Sequence, residues 1–596
     1  MAEERDSQLD GRLLALVGLA AFVAYALCAT LYPYPLDSAE LATASFGLGV
    51  AHPPGEETSL LWGKLFTCLP LGTVAFRVAL SQAVAGAVAV ALVFRLVLDV
   101  GQRLPILAEG FSPWLRRVVA SASALAFAFA PGMVLSCDRP EVYATQAALS
   151  LGALWLALRG FVSRDPRWFA LAAIALGLGV GNHSLVAGLV GVGAVALAVP
   201  PLLASGTKGR FILCGVGAFA AGLVVHAYLP LRSAALLSGG GLDQVAWGDA
   251  RTWRGFWWVV SARTFAQKNS LVQGNASPWD LPFLPMEELE PPLVLMALVG
   301  VYLLLRRSGG RAPGLGLLLG CLGSLAAALW GGMDPMNPDT RGYLLPAFAL
   351  LAVFSGVALS AGVAVFRVAR LRWPLALLFL VGALSRFPAT GAYPGLRGAK
   401  AADLVAGRLL DDLPLRSALF TNHFETGFLL GYQRAIEGRR PDVEAAHLAF
   451  AGGPGYRDRV ARSAPGLLPV VEAFRSGIGQ SGALRALADR RPVRFEPDVI
   501  TPEETRGSLA PAGEFWSPDG ESRLPSQLPD VALAEAATDR QVRGFLAFRL
   551  FVDAAWSCDH GVVERARLRF ADLQRLVPKD ARLLDLRRRC PLPANP

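Results

Sequence analysis

The chain has 596 residues and a formal net charge of +9, and hydrophobic residues make up 53% of it against 17% charged residues. Soluble domains average about 25% charged residues, so the composition excludes a purely soluble protein. The length indicates a membrane domain joined to a second part. Arginines on membrane loops account for the positive charge, and we predict no nucleic-acid partner. The seven cysteines form no CxxC pair, although Cys558 and Cys590 could pair in an oxidising compartment.

About eleven apolar runs follow one another along the first 390 residues, most of them close to the roughly 20 residues that cross a bilayer as a helix. We predict spans at residues 13–32, 74–98, 117–135, 142–162, 168–182, 184–204, 211–231, 291–305, 314–332, 342–365 and 373–389. The N-terminal segment mixes both charges, which favours an uncleaved anchor over a signal peptide. The runs on either side of residue 183 are so tightly joined that either one could be half-inserted.

The charges of the connecting loops predict the orientation of these spans. Five loops are rich in basic residues, which marks the cytoplasmic side. Those basic residues are Arg103, Arg116, Arg117, Arg159, Arg164, Arg167, Lys208, Arg210, Arg306, Arg307, Arg311, Arg367, Arg370 and Arg372. The alternate loops then face outward, and they comprise residues 36–73, 136–141, 182–183, 232–290 and 332–341. We therefore predict a multi-pass protein of the inner (plasma) membrane.

Unusual polar residues concentrate on the outward loops. This is a separate observation, because the orientation was assigned only from the basic residues of the other loops. The polar residues are Asp37, Glu40, His52, Asp138, Arg139, Glu141, Asn182, His183, Arg232, Asp334, Asp339 and Arg341. Ionisable groups at a bilayer edge are costly to place without a use. Their concentration predicts one polar site that several loops assemble at the outer membrane face.

The first outward loop, LDSAELATASFGLGVAHPPG, carries the main catalytic candidates. Asp37 and Glu40 are three residues apart and would share one face of a helix. Their functional interpretation is a general base beside an orienting or metal-binding carboxylate, which makes a divalent cation a candidate cofactor. The alternative is a capping box, with Asp37 as the N-cap. His52 precedes a Pro-Pro-Gly turn, where it would donate to a phosphate or bond only to the backbone.

Three further loops offer candidates for binding a lipid phosphate or a substrate. Arg139 could hold a phosphate as a bidentate fork, whereas Glu141 also suits the first turn of a helix. Asn182 and His183 interrupt an apolar region, either as part of the site or as a simple polar turn. Arg232 is either a site residue or an arginine that snorkels to the membrane interface.

Two more segments complete the candidate set. Trp257 lies in WGDARTWRGFWWVVSART, where tryptophans either stack on sugar rings and lipid or form an interfacial aromatic belt. Arg341 follows Asp339 just before a span, and Asp339 alone would suit a helix cap. The sequence has no GxxxxGK[ST], HExxH or GxSxG motif. It therefore encodes no ATP-driven step of the P-loop type, and it shows no zincin or nucleophile-elbow signature.

A second part begins after about Phe387, where the apolar runs stop and charged residues and prolines become frequent. We predict a transmembrane catalytic domain at residues 1–390, a soluble extracytoplasmic domain at 391–530 and a helical hairpin at 531–596. GVVERARLRFADLQRLVPKDA resembles the second helix of a tetratricopeptide repeat and the turn after it. The predicted fold class is therefore mainly α: a polytopic helical bundle, then an α/β part, then helices. An odd number of spans would place the C-terminal part outside the cytoplasm.

Six segments in order resemble one known family. DSAELATASFGLGVAHPPG is similar to the DSGE…GxxHPPG loop of a membrane protein O-mannosyltransferase family found in bacteria and animals, within the GT-C glycosyltransferase superfamily. The other five are RPEVYATQA, GLGVGNHSL, YLPLRS, WGDARTWRGFWWVVS and NPDTRGYLLPA. SALFTNHFETGFLLGYQRAIEGRRPDV is similar to the start of the family's C-terminal part, so the resemblance covers roughly residues 13–443. The animal member acts on plexin-type receptor domains and also ends in tetratricopeptide-like repeats.

The resemblance implies a GT-C fold and a polyprenyl-phosphate sugar as donor, with the family's essential acid at Asp37 and its second acid at Glu40. Two features depart from the family pattern. Ala39 replaces the family's glycine, and Glu56-Glu57-Thr58-Ser59 replaces the usual aromatic and apolar continuation after HPPG. The second departure alters how the loop meets lipid or acceptor.

These inferences combine into one functional prediction, the inverting transfer of a hexose, with mannose as the candidate. The donor is a polyprenyl-phosphate sugar, the acceptor is a protein Ser/Thr hydroxyl or a glycan, and membrane lipid is a further partner. Asp37 takes the hydroxyl proton, and Glu40 and His52 orient it or hold a metal. The leaving phosphate is neutralised by cationic groups among Arg139, His183, Arg232 and Arg341.

Two other classes of protein remain as alternatives. A transporter or flippase of lipid-linked or polar cargo would place polar residues through the bilayer midplane and on both sides. An inactive scaffold would use the soluble domain to dock partners. One-sided polar groups favour the enzyme over the transporter, and the Asp37–Glu40 pair argues against the scaffold.

Overall fold

The computed structural model describes residues 2–104, 112–239, 241–262, 283–332, 334, 337–365, 369–387, 395–519 and 523–590. Within these residues the protein has two parts. A bundle of long apolar helices comes first, and a smaller α/β part with C-terminal helices follows. The predicted boundary at residues 390 and 391 lies outside the described residues.

The bundle contains sixteen α-helices in the described part of the chain. They are α1 (Ala2–Cys28), α2 (Ser38–Gly47), α3 (Glu57–Thr67), α4 (Val74–Gly101), α5 (Pro113–Ala128), α6 (Pro131–Cys137), α7 (Tyr143–Ser163), α8 (Pro166–Ala204), α9 (Lys208–Leu223), α10 (Tyr228–Gly239), α11 (Trp253–Val260), α12 (Leu284–Leu289), α13 (Pro291–Arg306), α14 (Ser308–Trp330), α15 (Pro338–Val365) and α16 (Ala369–Leu384).

Seven of the described helices are long and apolar enough to cross a membrane. They comprise α1, α4, α7, α8, α14, α15 and the α9–α10 pair, which a 3-10 turn at Val224–Ala227 joins. The α5–α6 pair qualifies only as a unit that bends by 68°. Pro131 explains the bend, because it has no N–H to continue the hydrogen-bonding pattern of α5. The protein is therefore a mainly helical, multi-pass membrane protein, as predicted.

Helix α8 contains two of the predicted spans. His183 has non-helical backbone angles, φ −150° and ψ 92°, in the middle of its 39 residues. A Cβ atom at Gly191 would lie 3.2 Å from Leu176, and one at Gly179 would lie 3.2 Å from Ala187. Residues at similar distances before and after position 183 thus lie close together, so α8 doubles back into two antiparallel arms. His183 lies at the tip of this hairpin, where the sequence predicts a tight turn.

The basic loops gather at one end of the bundle. Arg117 donates to Asp10 at 2.6 Å and to Asp6 at 2.9 Å at the start of α1. A Cβ atom at Gly309 would lie 3.3 Å from the carbonyl oxygen of Arg103, so two basic loops meet there. The loops before α2, α7 and α15 lie at the opposite end, where their polar side chains meet.

The second part is built around a five-stranded sheet. Its strands are β1 (Ala418–Thr421), β2 (Glu444–His447), β3 (Val493–Phe495), β4 (Ala510–Ala512) and β5 (Phe515–Ser517), in the order β2-β1-β3-β5-β4. Strand β1 pairs in parallel with β2 and β3, with Ala418 opposite Glu444 and Val493, whereas the pairs that contain β5 are antiparallel. The strands are short and apolar, and most of their residues are buried between helices.

The helices of this part continue the numbering. They are α17 (Ala401–Asp411), α18 (Phe424–Ala435), α19 (Tyr456–Ser463), α20 (Leu468–Ser476), α21 (Gln480–Ala488), α22 (Glu503–Gly507), α23 (Asp530–Thr538), α24 (Arg540–Asp559), α25 (Val563–Leu576) and α26 (Ala581–Arg589). A disulfide joins Cys558 at the end of α24 to Cys590 after α26.

The second part packs on the polar end of the bundle, away from the basic loops. The backbone N–H of Leu36 donates to Glu425 at 2.8 Å, and that of Ala75 donates to the Tyr432 hydroxyl at 3.1 Å. The guanidinium of Arg434 donates to both carboxylate oxygens of Asp243. The polar loops therefore lie between the membrane bundle and the α/β part.

Candidate active site

Asp37 and Glu40 do not form the capping box that was the alternative interpretation. Asp37 directly precedes α2, but its side chain accepts no capping hydrogen bond. Glu40 is fully buried and turns toward His52 instead. Its two oxygens lie 2.8 Å from the backbone nitrogen and 2.9 Å from ring Nδ1 of His52. The carboxylate of Glu40 thus fixes both the position and the ring orientation of the histidine.

The chain returns toward α2 after residue 48 and places His52 above it. The N–H of Val50 donates to Val245, and the N–H of Trp247 donates back to Val50, both at 3.0 Å. This close pairing explains Gly49, where a Cβ atom would lie 2.6 Å from the Val245 carbonyl oxygen. The segment around residues 245–247 therefore supports the first loop from behind.

His52 lies among three carboxylates. Besides Glu40 on Nδ1, its Nε2 lies 3.3 Å from Glu56 and 3.8 Å from Asp37. Glu56 is buried, and its Oε2 has no hydrogen-bond partner among the described residues. The Asp37 side chain is 36% exposed, so it is the member of this group that an incoming substrate can reach. We call Asp37, Glu40, His52 and Glu56 the loop cluster.

The surroundings shift the proton affinities of the loop cluster strongly. Partial burial raises the pKa of Asp37 to about 7, against the opposing effect of the His52 ring. Burial also raises the pKa of Glu56. For His52, burial disfavours the charged ring, but Glu56, Glu40 and Asp37 outweigh it and hold the pKa well above its usual value. Asp37 is therefore poised to exchange a proton near neutral pH.

The loop cluster also has the chemistry of a cation site. Asp37, Glu40 and His52 offer ligand atoms that all lie within 4.8 Å of one another. Carboxylate oxygens and an imidazole nitrogen suit Zn²⁺ and related divalent cations. Because Glu40 holds the Nδ1 side of the ring, Nε2 would serve a cation shared with Asp37 and Glu56, as in carboxylate–histidine–metal arrangements. Without a cation, a protonated Nε2 donates between the same two carboxylates.

A second charged group centres on Arg139. Its Nη2 lies 2.8 Å from Glu141 and 3.0 Å from Asp339, and the side chain is almost fully buried. Its Nη1 is buried and makes no hydrogen bond within the described part of the chain. Burial raises the pKa of Glu141 to about 8, although Arg139 opposes the rise. Glu141 lies before α7, which begins at Tyr143, so the first-turn interpretation of Glu141 is wrong.

The two charged groups are close enough to influence each other. The carboxylate of Asp339 raises the pKa of Asp37, and those of Asp37 and Glu56 raise the pKa of Glu141. His183 adds an uncharged wall nearby, since its ring lies 5.8 Å from that of Tyr143 and 4.6 Å from that of Tyr343. The polar residues of these loops thus lie close together.

Two other candidates, Asn182 and Arg232, contact backbone groups and uncharged polar side chains around the first loop. Asn182 accepts from Ser59 and donates to Val142 and Gln146, all at 3.1 Å or less. Arg232 donates to the carbonyl oxygens of Leu48 at 2.6 Å and Gly47 at 3.3 Å, at the end of α2. Their contacts are those of residues that shape the first loop.

The contacts of Arg341 and Trp257 are with residues outside the loop cluster. Arg341 pairs with Glu288 at 2.5 Å and Glu287 at 2.6 Å, so two carboxylates already hold its guanidinium. Trp257 is 46% exposed on α11, beside an even more exposed Trp253. An exposed pair of tryptophans is equally suited to lipid or to substrate.

Sequence patterns missed several members of the site. Glu56 stood out only as a departure from the family pattern, yet a left-handed backbone (φ 57°) directs it back toward His52. Glu57, its neighbour, lies 2.9 Å from His226 in the 3-10 turn. Glu425 reaches the first loop from 389 residues away. The unusual Glu56-Glu57 pair after HPPG was the available signal for the first two, whereas nothing local marked Glu425.

Comparisons with known proteins agree with the resemblance. Residues 37–200 match the family model described as the protein O-mannosyl-transferase TMEM260 N-terminal domain. The mouse (Mus musculus) protein O-mannosyl-transferase TMEM260 is 28% identical over 493 residues, which cover 77% of this chain and 66% of the mouse protein. The chain thus spans just under two thirds of that relative. The predicted resemblance to this family is confirmed.

Solved structures of two membrane proteins are also similar. ArnT from Cupriavidus metallidurans, bound to undecaprenyl phosphate, is 16% identical with a TM-score of 0.46, covering 70% of this chain and 84% of ArnT. The archaeal oligosaccharyltransferase AglB from Archaeoglobus fulgidus, in complex with an inhibitory peptide and a dolichol-phosphate, is 13% identical with a TM-score of 0.43. That match covers 82% of this chain and 69% of AglB.

Proposed function

We propose that this chain is a membrane glycosyltransferase that moves a hexose, with mannose as the candidate, from a polyprenyl-phosphate donor to a hydroxyl acceptor. The acceptor is a protein Ser/Thr or a glycan, and the site faces the extracytoplasmic side. The observation that carries the proposal is the partly exposed Asp37, with a pKa of about 7, beside the buried Arg139 group. The match of residues 37–200 to an O-mannosyl-transferase family supports it.

Asp37 is the proposed base. A base that works near neutral pH needs a pKa near 7 and access to the substrate, and Asp37 combines both. Glu40 and Glu56 are buried and engaged with His52, so they hold the histidine in place and are not exposed to an acceptor. A divalent cation held by His52 and Glu56 would supply Lewis-acid chemistry at this position and would leave Asp37 as the base.

Arg139 is the proposed partner of the leaving phosphate. Of the four cationic candidates, Arg139 and His183 each have a buried nitrogen, Nη1 and Nδ1 respectively, without a hydrogen-bond partner among the described residues. Of these two, Arg139 carries the permanent charge and the forked donors that suit a phosphate. A buried N–H without an acceptor is costly, and a phosphate oxygen would satisfy it with a charge-assisted hydrogen bond. The ring of His183 faces Tyr143 and Tyr343. Arg232 donates to a backbone carbonyl oxygen, and Arg341 donates to a carboxylate of the protein.

The reaction then proceeds as a single displacement. The acceptor hydroxyl gives its proton to Asp37 while its oxygen forms a bond to the anomeric carbon of the hexose. The bond between that carbon and the phosphate oxygen breaks, and its electron pair leaves with the polyprenyl phosphate. Arg139 neutralises the charge that develops on the phosphate. Attack from the side opposite the phosphate inverts the anomeric configuration.

The orientation of the site is part of the proposal. The basic loops lie at the other end of the bundle, which the positive-inside rule places in the cytoplasm. The Cys558–Cys590 disulfide belongs to the part that packs on the polar end, and disulfides persist mainly in oxidising compartments. Both observations support an extracytoplasmic site.

A transfer assay tests the proposed function. Purified protein in detergent receives radiolabelled polyprenyl-phosphate mannose and a membrane-free extract of extracytoplasmic proteins. Label should move onto protein with the wild type and with Asp458→Asn, an exposed control in α19, but not with Asp37→Asn. Failure with mannose, glucose and galactose donors alike would contradict the proposal and favour the transporter or scaffold alternatives.

A further inference from the structure

A cleft lies beside the loop cluster, between the segment at residues 242–247 and the carboxyl ends of β1 and β2. It is lined by both parts of the protein, among them Trp247, Thr421, Gly427, His447, Phe450 and Arg459. Thr43 also lines it, one helical turn after Glu40 on α2. The Trp247 ring lies edge-on to that of His52 at 6.2 Å, so the cleft is separated from the loop cluster by one aromatic ring.

His447 presents an unused hydrogen-bond acceptor on this cleft. The residue is 92% buried, and its Nδ1 lies 3.1 Å from the carbonyl oxygen of Thr421. A carbonyl can only accept, so Nδ1 carries the hydrogen and Nε2 carries the lone pair. Burial lowers the pKa of His447 to about 4, which keeps the ring neutral. Nε2 is buried and has no partner among the described residues.

Arg459 presents an unused donor on the same cleft. It is 96% buried, and its Nη atoms donate to the carbonyl oxygens of Gly241, Gln244 and Ala246. Its Nε is buried and donates to nothing within the described ranges. No carboxylate of those ranges lies within salt-bridge distance of Arg459, and the neighbouring Asp243 is paired with Arg434. The cleft therefore offers a ligand one lone pair, on Nε2 of His447, and one N–H group, on Nε of Arg459.

This pair of atoms selects among ligand chemistries. A phosphate or carboxylate would satisfy Arg459 but would bring no proton to the lone pair of His447. An ammonium group would satisfy His447 but would be repelled by Arg459 and offers no acceptor. Hydroxyl groups both donate and accept, so a ligand that carries several hydroxyls can satisfy both kinds of atom. Among the residues that line the cleft, the rings of Trp247 and Phe450, which lie edge-on to each other at 4.6 Å, give it an apolar wall.

We propose that this cleft binds a sugar ring, with one hydroxyl donating to Nε2 of His447 and a hydroxyl oxygen accepting from Nε of Arg459. The ring belongs either to the acceptor or to the donor, and both present the same pair of hydroxyls. The biological role of the cleft rests on the proposed function, but binding of a free sugar can be measured without any transfer. The cleft would hold that sugar one aromatic ring away from Asp37 and its partners.

Saturation-transfer NMR on the full-length protein in detergent tests the cleft with methyl mannoside, glucoside and galactoside as probes. Gly427→Ala crowds the His447 ring from within α18, because the new Cβ would lie 2.6 Å from Cδ2 and 3.0 Å from Nε2 of His447. His447→Asn retains a donor for Thr421 but removes the acceptor, whereas His447→Gln restores an acceptor near the Nε2 position. Gly482→Ala in α21 is the matched control, since nothing lies within 4 Å of its Cβ.

We expect at least one methyl pyranoside to bind the wild type. Gly427→Ala and His447→Asn should weaken its binding about tenfold or more, with Gly482→Ala unchanged and His447→Gln closer to wild type than His447→Asn. Thermal unfolding of each variant checks that it is folded. The proposal would be overturned if the wild type bound no pyranoside, or if Gly427→Ala and His447→Asn bound it as well as the wild type. The cleft would then hold water only.

The same samples identify the source of the sugar and separate the two proposals. Displacement of the pyranoside by a short-chain polyprenyl-phosphate mannose assigns the cleft to the donor sugar, and simultaneous binding assigns it to the acceptor. Asp37→Asn should still bind the pyranoside while losing transfer. Wild-type protein that transfers sugar but shows no cleft binding would refute this inference alone. Cleft binding without transfer from any donor would refute the proposed function alone.

Discussion

Two clusters of buried charge, one in each part of the molecule, differ in how completely their hydrogen bonds are made. In the second part, Asp553 accepts from Trp516, twice from Arg565 and once from Arg569, all at 2.6–3.0 Å. In the loop cluster, Glu56 keeps an oxygen without a partner among the described residues, and Asp37 stays 36% exposed. A completed cluster stabilises its fold, whereas an incomplete one retains capacity for a ligand.

The same contrast appears in the proton affinities of the two aspartates. Although burial opposes it, Arg565 and Arg569 lower the pKa of Asp553 to about 2, below its unfolded value of 3.8. Asp553 therefore adds stability above about pH 4 that is lost as pH falls through 2. Burial raises the pKa of Asp37 to about 7, so its folded environment favours the protonated form. Asp37 consequently costs stability as pH rises from about 4 through 7.

The largest effect is expected from Asp37→Asn. The amide cannot accept a proton, so transfer should fall by about 100- to 10,000-fold, the usual contribution of a general base. Because the ionised carboxylate costs stability at neutral pH, the variant should unfold at the same temperature as the wild type or higher. Transfer assays and thermal unfolding on one preparation measure both. Near-normal transfer would remove Asp37 from the role of base, and a large loss of stability would make the contrast with Asp553 untenable.

Asp553→Asn should have the opposite outcome. An amide leaves the buried Arg565 and Arg569 without their carboxylate, which costs about 3–5 kcal/mol for a broken buried pair. The unfolding temperature should drop clearly, while the protein that remains folded keeps its transfer activity. Asp559→Asn on the same helix is the control, because Asp559 is 52% exposed and its ion pair with Arg506 is 3.3 Å long. Equal effects of the two substitutions would show that the Asp553 cluster is not the stabilising one.

Arg139→Lys should weaken use of the donor without unfolding the protein. Lysine keeps the charge near Glu141 and Asp339 but has a single nitrogen. It therefore cannot bind these carboxylates and a phosphate through separate nitrogens, as Nη2 and Nη1 of Arg139 can. We expect the donor KM to rise about 10- to 100-fold, the range for a lost charged hydrogen bond. Arg341→Lys is the comparison, since two glutamates already engage Arg341. A donor KM that rises equally in both variants would contradict a specific phosphate contact at Arg139.

Features that depend on local sequence were predicted well. The lengths of the apolar runs located the helices of the bundle, and Asn182-His183 marked the turn that doubles α8 back on itself. The concentration of polar residues on alternate loops predicted that the loops of Asp37 and Arg139 lie close together, and topology does bring alternate loops to one end. Helices α13 and α16 have 16 residues each, close to the predicted runs at residues 291–305 and 373–389.

Features that depend on backbone conformation or distant contacts were not predicted. Glu56 joins His52 because a left-handed residue reverses its direction, and no periodicity encodes that. Arg232 approaches the first loop across 184 residues, yet it caps carbonyl oxygens of α2. The cleft at His447 exists only where the two parts of the protein meet. Long-range pairing of this kind leaves no signal in a single sequence.

The pH dependence of transfer is the most sensitive test of the comparison, although its effect is the smallest. With a pKa of about 7, Asp37 is protonated and inactive as a base in acid, so kcat/KM should fall about tenfold per pH unit below 7 and level off above it. The carboxylate of Asp339 raises this pKa. Asp339→Asn should therefore move the acid limb to lower pH, even if removing a partner of Arg139 also changes the maximal rate. An acid limb that stays in place, or moves upward, would mean that the titrating group is not Asp37. The incomplete hydrogen bonding of the loop cluster would then serve a purpose other than proton transfer.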